Sequence, residues 1–180
     1  MISDITKYQV YDRFNGQRLL PKLNKLLNHF SSTKDKLSKN YKNLDFNSFE
    51  NYSIITLEEN IIAFSSILQR KLWSSNTARI FNRMWRNKMY SWTNPTFGIL
   101  SQLMYNHQID YCKKHNFDFV FLSTEKTPRH LKRWMVQANQ YDGGWNFCDD
   151  KKKVCNGPDR QCVQWIIYKN IKNENVPFPL

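Results

Sequence analysis

ARIFNRMWRNKMYSWTNPTFGILSQLMYNHQIDYCKKHNFDFVFLS, residues 78–123, is the stretch whose order decides the fold. Its middle reads as a helix over 95–115. Asn94 is a good N-cap and Pro95 a good first helical residue. Phe97, Leu100, Leu103, Met104, His107 and Tyr111 then recur at helical spacing. Lys113, Lys114 and His115 close the last turn, where positive charge suits the macrodipole. FDFVFLS, 117–123, is an almost continuous apolar run, as in a strand at the middle of a sheet. The segment before the helix, 78–90, fits two periods. As a helix it gathers Ile80, Phe81, Met84 and Trp85 into one stripe. As a strand it puts Arg79, Phe81, Arg83 and Trp85 on one face. Its aromatic and β-branched residues, and its place between a hairpin and a helix–strand unit, favour the strand. The result is a strand–helix–strand unit whose helix N-terminus suits an anion.

Upstream, YSIITL (52–57) and IIAFSSILQ (61–69) flank Glu58-Glu59-Asn60 and predict an antiparallel hairpin. LWSSNT, 72–77, is composed like a loop. Leu19, Leu20, Leu23, Leu26, Leu27 and Phe30 mark an amphipathic helix in QRLLPKLNKLLNHF, 17–30. Pro21 fits only its first turn, so the helix starts near Leu20. The polar stretch after it reads as a loop with one short helix around 34–42. KYQVYD, 7–12, is a candidate first strand. Downstream, Thr127 and Pro128 open a basic helix over 128–140. Asp142-Gly143-Gly144 is a turn, and 145–148 and 161–171 are the last strands. The tail NVPFPL is extended. With no repeat and no linker-like run, one α+β domain with a mixed sheet is the simplest architecture for residues 1–180. Residues 1–50 form its helical N-terminal part, 51–123 its hairpin and core, and 124–180 its C-terminal helix and strands.

Composition narrows the classes. With 12 Phe, 9 Tyr and 6 Trp in 180 residues, the chain can fill a hydrophobic core and is not disordered. No apolar run approaches the length of a membrane span, and MISDITKYQVYDRFNG lacks an apolar signal core. A cytoplasmic protein with no membrane partner is expected. Scarce alanine with abundant Asn and Lys points to an AT-rich coding genome, such as a phage or a low-GC bacterium; for a viral protein the compartment would be the host cytoplasm. The net charge of +12 is spread along the chain. It suits a polyanionic partner, nucleic acid or a phosphorylated cofactor. It equally suits a lysine-rich solvated surface. Cys112, Cys148, Cys155 and Cys162 lack zinc spacing, so reduced structural thiols and no metal are expected. P-loop, GxGxxG, HExxH and GxSxG motifs are absent.

The order of hairpin 52–69, strand 78–88, helix 95–115, strand 117–123, helix 128–140 and final strands resembles the GNAT family, the acyl-CoA-dependent N-acyltransferases. It is similar in particular to divergent acetyltransferase-like proteins of bacteriophages. The resemblance implies a mostly antiparallel central sheet flanked by helices, and acetyl-CoA or CoA as cofactor. The loop SWTNPTFGILSQ stands where the family carries Gln/Arg-x-x-Gly-x-Gly/Ala, with Gly98 its single glycine. By position, Met84, Trp85 and Arg86 would pair with the pantetheine arm. Thr96, Phe97, Gly98 and Ile99 would face the pyrophosphate, and Arg129 or Arg133 could reach the outer phosphate. The chemistry implied is attack of an acceptor amine on the thioester, with Glu125 as base and Tyr141 as acid. Glu58 and Glu59 read as solvated turn residues, His130 as a surface helix residue and His107 as a core histidine. The alternative is a non-catalytic module of the same fold that binds nucleic acid or a phage protein. In that case Arg79, Arg83, Arg86 and Lys88, interleaved with Phe81, Trp85 and Tyr90, would form a stacking and phosphate-contacting face.

Overall fold

Alternation of β-branched and aromatic residues over 51–84 produces three long antiparallel strands in the computed structural model. It describes residues 5–32, 45–72, 75–85, 94–124, 129, 132, 135, 136, 139, 143–148, 165–172 and 176. The elements are β1 (Tyr8–Asp12), α1 (Leu20–Ser32), β2 (Asn51–Leu57), β3 (Asn60–Leu72), β4 (Ser75–Met84), α2 (Asn94–Lys114), β5 (Phe119–Thr124), β6 (Trp145–Cys148) and β7 (Trp165–Asn170). Arg129, Lys132, Met135, Val136 and Asn139 are also helical. The short helix expected around 34–42, the strand residues expected over 86–90 and 161–164, and most of the tail lie outside the described residues.

The strands form one sheet in the order β1-β2-β3-β4-β5-β7-β6. Neighbours are antiparallel except β4 and β5, which pair in parallel through the α2 crossover. The weak first-strand candidate at 7–12 is β1, paired from Tyr8↔Leu57 to Asp12↔Ser53. Leu72 and Ser75–Thr77 of LWSSNT are strand rather than the loop their composition predicts. The β3–β4 ladder runs through Arg70↔Thr77 and Lys71↔Asn76 to Leu72↔Ser75. Main-chain pairing inside a long hairpin overrides the turn preference of Ser and Asn. The strand after α2 also starts later than the apolar run. Asn116 takes φ 56, the Phe117 N–H bonds the Cys112 carbonyl at 3.0 Å, and β5 begins at Phe119.

Each face of the sheet is covered by a helix. On one, Leu23 and Leu27 of α1 pack on Tyr52, Ile54, Phe64 and Trp85. Phe64 is the hub of that aromatic layer, 6.0–6.3 Å from the rings of Phe46, Phe49, Tyr52 and Phe81. On the other, Leu100 and Met104 of α2 pack on Ile55, Ile62 and Ala63, with Met84 against them. Further along α2, Tyr105, Ile109 and Cys112 meet Ala78, Ile80, Val120, Leu122 and Trp145. Cys112 is fully buried, and burial pushes its thiol up to about 12. Gly16 is required by close approach. A Cβ there would lie 2.6 Å from the Asp12 carbonyl oxygen, and its own N–H already donates to that oxygen at 2.8 Å.

Candidate functional site

The sheet opens between its two central parallel strands. β4 and β5 pair at Thr77↔Phe119, Ala78↔Val120 and Arg79↔Phe121. There the β4–β5 ladder ends, while β4 stays paired with β3 up to Met84↔Ala63 and β5 with β7 up to Thr124↔Trp165. The strands therefore diverge with each still held on its outer side.

Hydrogen-bonding parity identifies the backbone groups that face this opening. The Trp85 N–H donates to the Ile62 carbonyl of β3 at 2.8 Å. In an antiparallel ladder successive residues point alternately to opposite edges. Odd-numbered β4 residues thus address β3, and Ala78, Ile80, Asn82 and Met84 address β5. Past the last rung, the outward groups are the Ile80 C=O and the N–H and C=O groups of Asn82 and Met84. Of the three positions expected to meet an extended arm, Met84 has this orientation. Trp85 has the opposite one, its side chain buried in the α1-side cluster, and Arg86 lies outside the described residues. Sequence periodicity does not single out Asn82, because edge orientation depends on strand register.

Helix α2 begins at Asn94, at the same open end, since its second turn brings Leu100 into the cluster that Met84 joins. Its first turn carries no acidic residue. The first amides of a helix have no acceptor within it and carry the positive end of its dipole. Thr96 lies in that first turn. Gly98 and Ile99 are already inside the helix, where an amide bonds the carbonyl four residues back. Pro95 contributes no N–H.

Below the opening, on the α2 side, lies a polar relay. The Ser65 hydroxyl donates to Asn82 Oδ1 at 2.5 Å, and the Asn82 side chain hydrogen-bonds the Tyr105 hydroxyl. Tyr105 is 7 % exposed, and burial moves its phenol well above the ordinary tyrosine range despite the Asn82 bond. Its ring packs against Trp145 at 5.2 Å in an edge-on arrangement.

The opposite face of β4 carries Arg79, Phe81 and Arg83. Phe81 packs into the α1-side cluster, and the Arg83 guanidinium sits 5.8 Å from its ring centroid. Glu58 and Glu59 are exposed at the β2–β3 turn. His107 is half-buried on α2 and hydrogen-bonds the Tyr52 backbone. Arg129 is exposed. Glu125, Tyr141, His130, Arg133, Lys88 and Tyr90 lie outside the described residues. Among the described residues no group of three His, Cys, Asp or Glu could hold a metal ion. None of their helices is long and apolar enough to cross a membrane.

No protein-family model and no curated protein matches the chain. Solved structures do match it over nearly their whole length. The ribosomal-protein-S18-alanine N-acetyltransferase from Escherichia coli aligns with a TM-score of 0.56 at 13% identity, covering 95% of this chain and 99% of that one. The acetyl-CoA complex of yncA from Salmonella typhimurium aligns with a TM-score of 0.57 at 11% identity, covering 95% and 99%. Aminoglycoside 6'-acetyltransferase type Ii aligns with a TM-score of 0.58 at 11% identity, covering 96% and 99%. Other neighbours include acetyltransferases described as GNAT-family. The chain has the fold of these acetyltransferases.

Proposed function

We propose that the protein is an acyltransferase that moves an acyl group, in the simplest case acetyl, from a CoA thioester to an amine. The observation that carries this reading is the divergence of β4 and β5 beyond Arg79↔Phe121, within a sheet of acetyltransferase topology. A diverging parallel pair exposes an N–H and C=O ladder to an extended amide-bearing chain, as an added strand would find it. The pantetheine arm of CoA has that shape and those groups. The residues present fit it. Asn82 and Met84 offer their outward backbone groups, and the start of α2, with Thr96 in its first turn, offers an acid-free positive end to the pyrophosphate. The single glycine and Pro95 leave that end with fewer amides than a glycine-rich loop has, so lysine and arginine side chains would carry more of the phosphate affinity.

When bound, acyl-CoA supplies an activated thioester carbonyl. The chain's task is to hold that carbonyl beside an acceptor amine, keep water out and take up the amine's proton. Burial of Ile80, Leu122 and Tyr105 below the opening supports exclusion of water. Glu125, just past β5, is proposed as the base and Tyr141 as the acid. An overall charge of +12 favours an anionic acceptor. The alternative, a non-catalytic nucleic-acid module, has less support, because Phe81 and Trp85 pack into the α1-side core rather than presenting rings to stack on bases.

Isothermal calorimetry with CoA and acetyl-CoA tests the reading. Saturable binding of both, followed by amine-dependent release of free thiol across a panel of small-molecule, peptide and nucleobase amines, is the expected result. Absence of binding at millimolar acetyl-CoA would overturn it. Salt-sensitive nucleic-acid binding, lost in Arg79→Ala/Arg83→Ala, would then favour the alternative.

A further inference from the structure

A tyrosine in the helix below the opening has no role in the scheme above, yet its position gives it one. Tyr105 lies on α2, among Ile80 of β4 and Leu122 of β5, the residues just past the last β4–β5 rung. At one end its hydroxyl reaches the side chain of Asn82, the β4 residue whose backbone faces the opening. Beside it, its ring meets Trp145 of β6, which lies two strands beyond β5 in the sheet order. A ring that touches β4 at its tip and a β6 indole at its edge lies across the place where the strands part.

The hydrogen-bond inventory then fixes what the hydroxyl can do. Asn82 Oδ1 accepts from Ser65, and the Asn82 bond acts to lower the Tyr105 pKa, the effect of an amide N–H donated to the phenol oxygen. The phenol oxygen is therefore an acceptor in that bond and keeps its own proton to donate. Asn82 and Ser65 hold the phenol at a fixed angle, and burial keeps it neutral across the working pH range. A neutral buried donor of this kind is suited to stabilising charge on an oxygen without itself losing a proton.

We propose that the Tyr105 hydroxyl donates a hydrogen bond to the carbonyl oxygen of an acyl group held in the β4–β5 opening, with Asn82 and Ser65 as its positioning residues. The inference rests on the acyl-CoA reading and adds to it a residue on α2 that the family resemblance did not supply. No bond is made or broken by Tyr105. Its contribution grows as negative charge builds on the carbonyl oxygen, so its removal should slow transfer by about 10²-fold, as loss of one preorganised donor does.

The test is infrared difference spectroscopy of acetyl-CoA labelled with ¹³C at the thioester carbonyl, bound to the full chain. The wild-type complex should show the carbonyl band at lower frequency than free acetyl-CoA. In Tyr105→Phe, which keeps the ring and its packing on Trp145, the band should return towards the free position. CoA itself, which has no carbonyl at that place, should bind wild type and Tyr105→Phe with the same Kd. Ser65→Ala, which releases Asn82, should give an intermediate band and serves if Tyr105→Phe does not fold. An unchanged band in either folded variant with acetyl-CoA bound would overturn this inference and leave the acyl-CoA reading standing. Failure of wild type to bind acetyl-CoA would overturn both.

Discussion

Arg79 and Phe121 form the last rung between β4 and β5. Past it, the N–H groups of Asn82 and Met84 face the opening, whereas the Trp85 N–H is committed to Ile62. Amide hydrogen exchange separates these populations residue by residue. Saturating CoA should slow exchange at Asn82 and Met84 by about tenfold when present at ten times its Kd. Trp85 should not change. Equal protection at all three positions would mean that the ligand stabilises the domain globally rather than pairing with the β4 edge.

The β2–β3 turn stores strain that can be released. Leu57 pairs with Asn60, so Glu58 and Glu59 are the two turn residues, with φ 47 and 64. That geometry favours Asn-Gly, and a side chain in the left-handed region costs about 1 kcal/mol or more. Both glutamates are exposed, on the side of β3 away from β4. Glu58→Asn with Glu59→Gly should therefore raise stability by about 1 kcal/mol in urea unfolding, with an unchanged m-value. Cofactor affinity should stay the same.

These two features also divide what was legible in the sequence from what was not. YSIITL, EEN and IIAFSSILQ specify a hairpin locally, and the Asn94–Pro95 start with its apolar period specifies α2. A strand–helix–strand order with an apolar last strand then implies a parallel pair and a helix N-terminus beside it. Three things are set by distant partners and do not show locally. The β3–β4 hairpin closes at Leu72↔Ser75 although Ser, Asn and Thr there read as loop. β7 inserts between β5 and β6, which no local pattern encodes. Which β4 backbone groups face the opening depends on the parity set by Trp85 and Ile62. Local periodicity could not distinguish that arrangement from its one-residue shift. The role of Tyr105 is hidden from local periodicity for the same reason. The residue sits one position from Met104 in an apolar stripe, and only its contact with Asn82 marks it as polar machinery.

The closed end of the parallel pair has its own fastener, and it is pH-dependent. Asp118 accepts from the Asn76 N–H at 2.7 Å, its own N–H donates to the Asn76 carbonyl at 2.8 Å, and its carbonyl accepts from Ile171 at 2.8 Å. Lys172 Nζ lies 3.0 Å from its carboxylate. Partial burial acts to raise the Asp118 pKa, but the Asn76 N–H and the Lys172 ammonium outweigh it, and the net shift is downward. A depressed carboxylate stabilises the fold above its unfolded value near 3.9 and loses that contribution as pH falls through the folded value. Asp118→Asn should cost about 1 kcal/mol at pH 7, where a charged hydrogen-bond acceptor is replaced by a neutral one. The difference from wild type should shrink as unfolding is followed down to pH 3. A constant difference across that range would show that the carboxylate charge contributes nothing at this junction.

His107 imposes a sensitivity of the same sign at higher pH, through a different cause. Burial lowers its pKa, although Asp12, Asp110 and the Tyr52 backbone favour the charged ring. Its Nε2 is buried without a hydrogen-bond partner. The neutral ring satisfies Tyr52 through one nitrogen and leaves only a lone pair unpaired on the other. Protonation would place a charged N–H there with no acceptor, at a higher cost. The unfolded chain takes up this proton near pH 6.5 and the folded chain only at lower pH. Between those values the unfolded state binds more protons, so stability must fall as pH decreases. His107→Gln, which keeps a polar side chain of similar reach and removes the titration, should flatten the stability profile between pH 7 and 5 while leaving the value at pH 8 close to wild type. Denaturant melts at half-unit steps measure both curves. Parallel curves would show that His107 is solvated in the folded state and titrates there as it does in the unfolded chain.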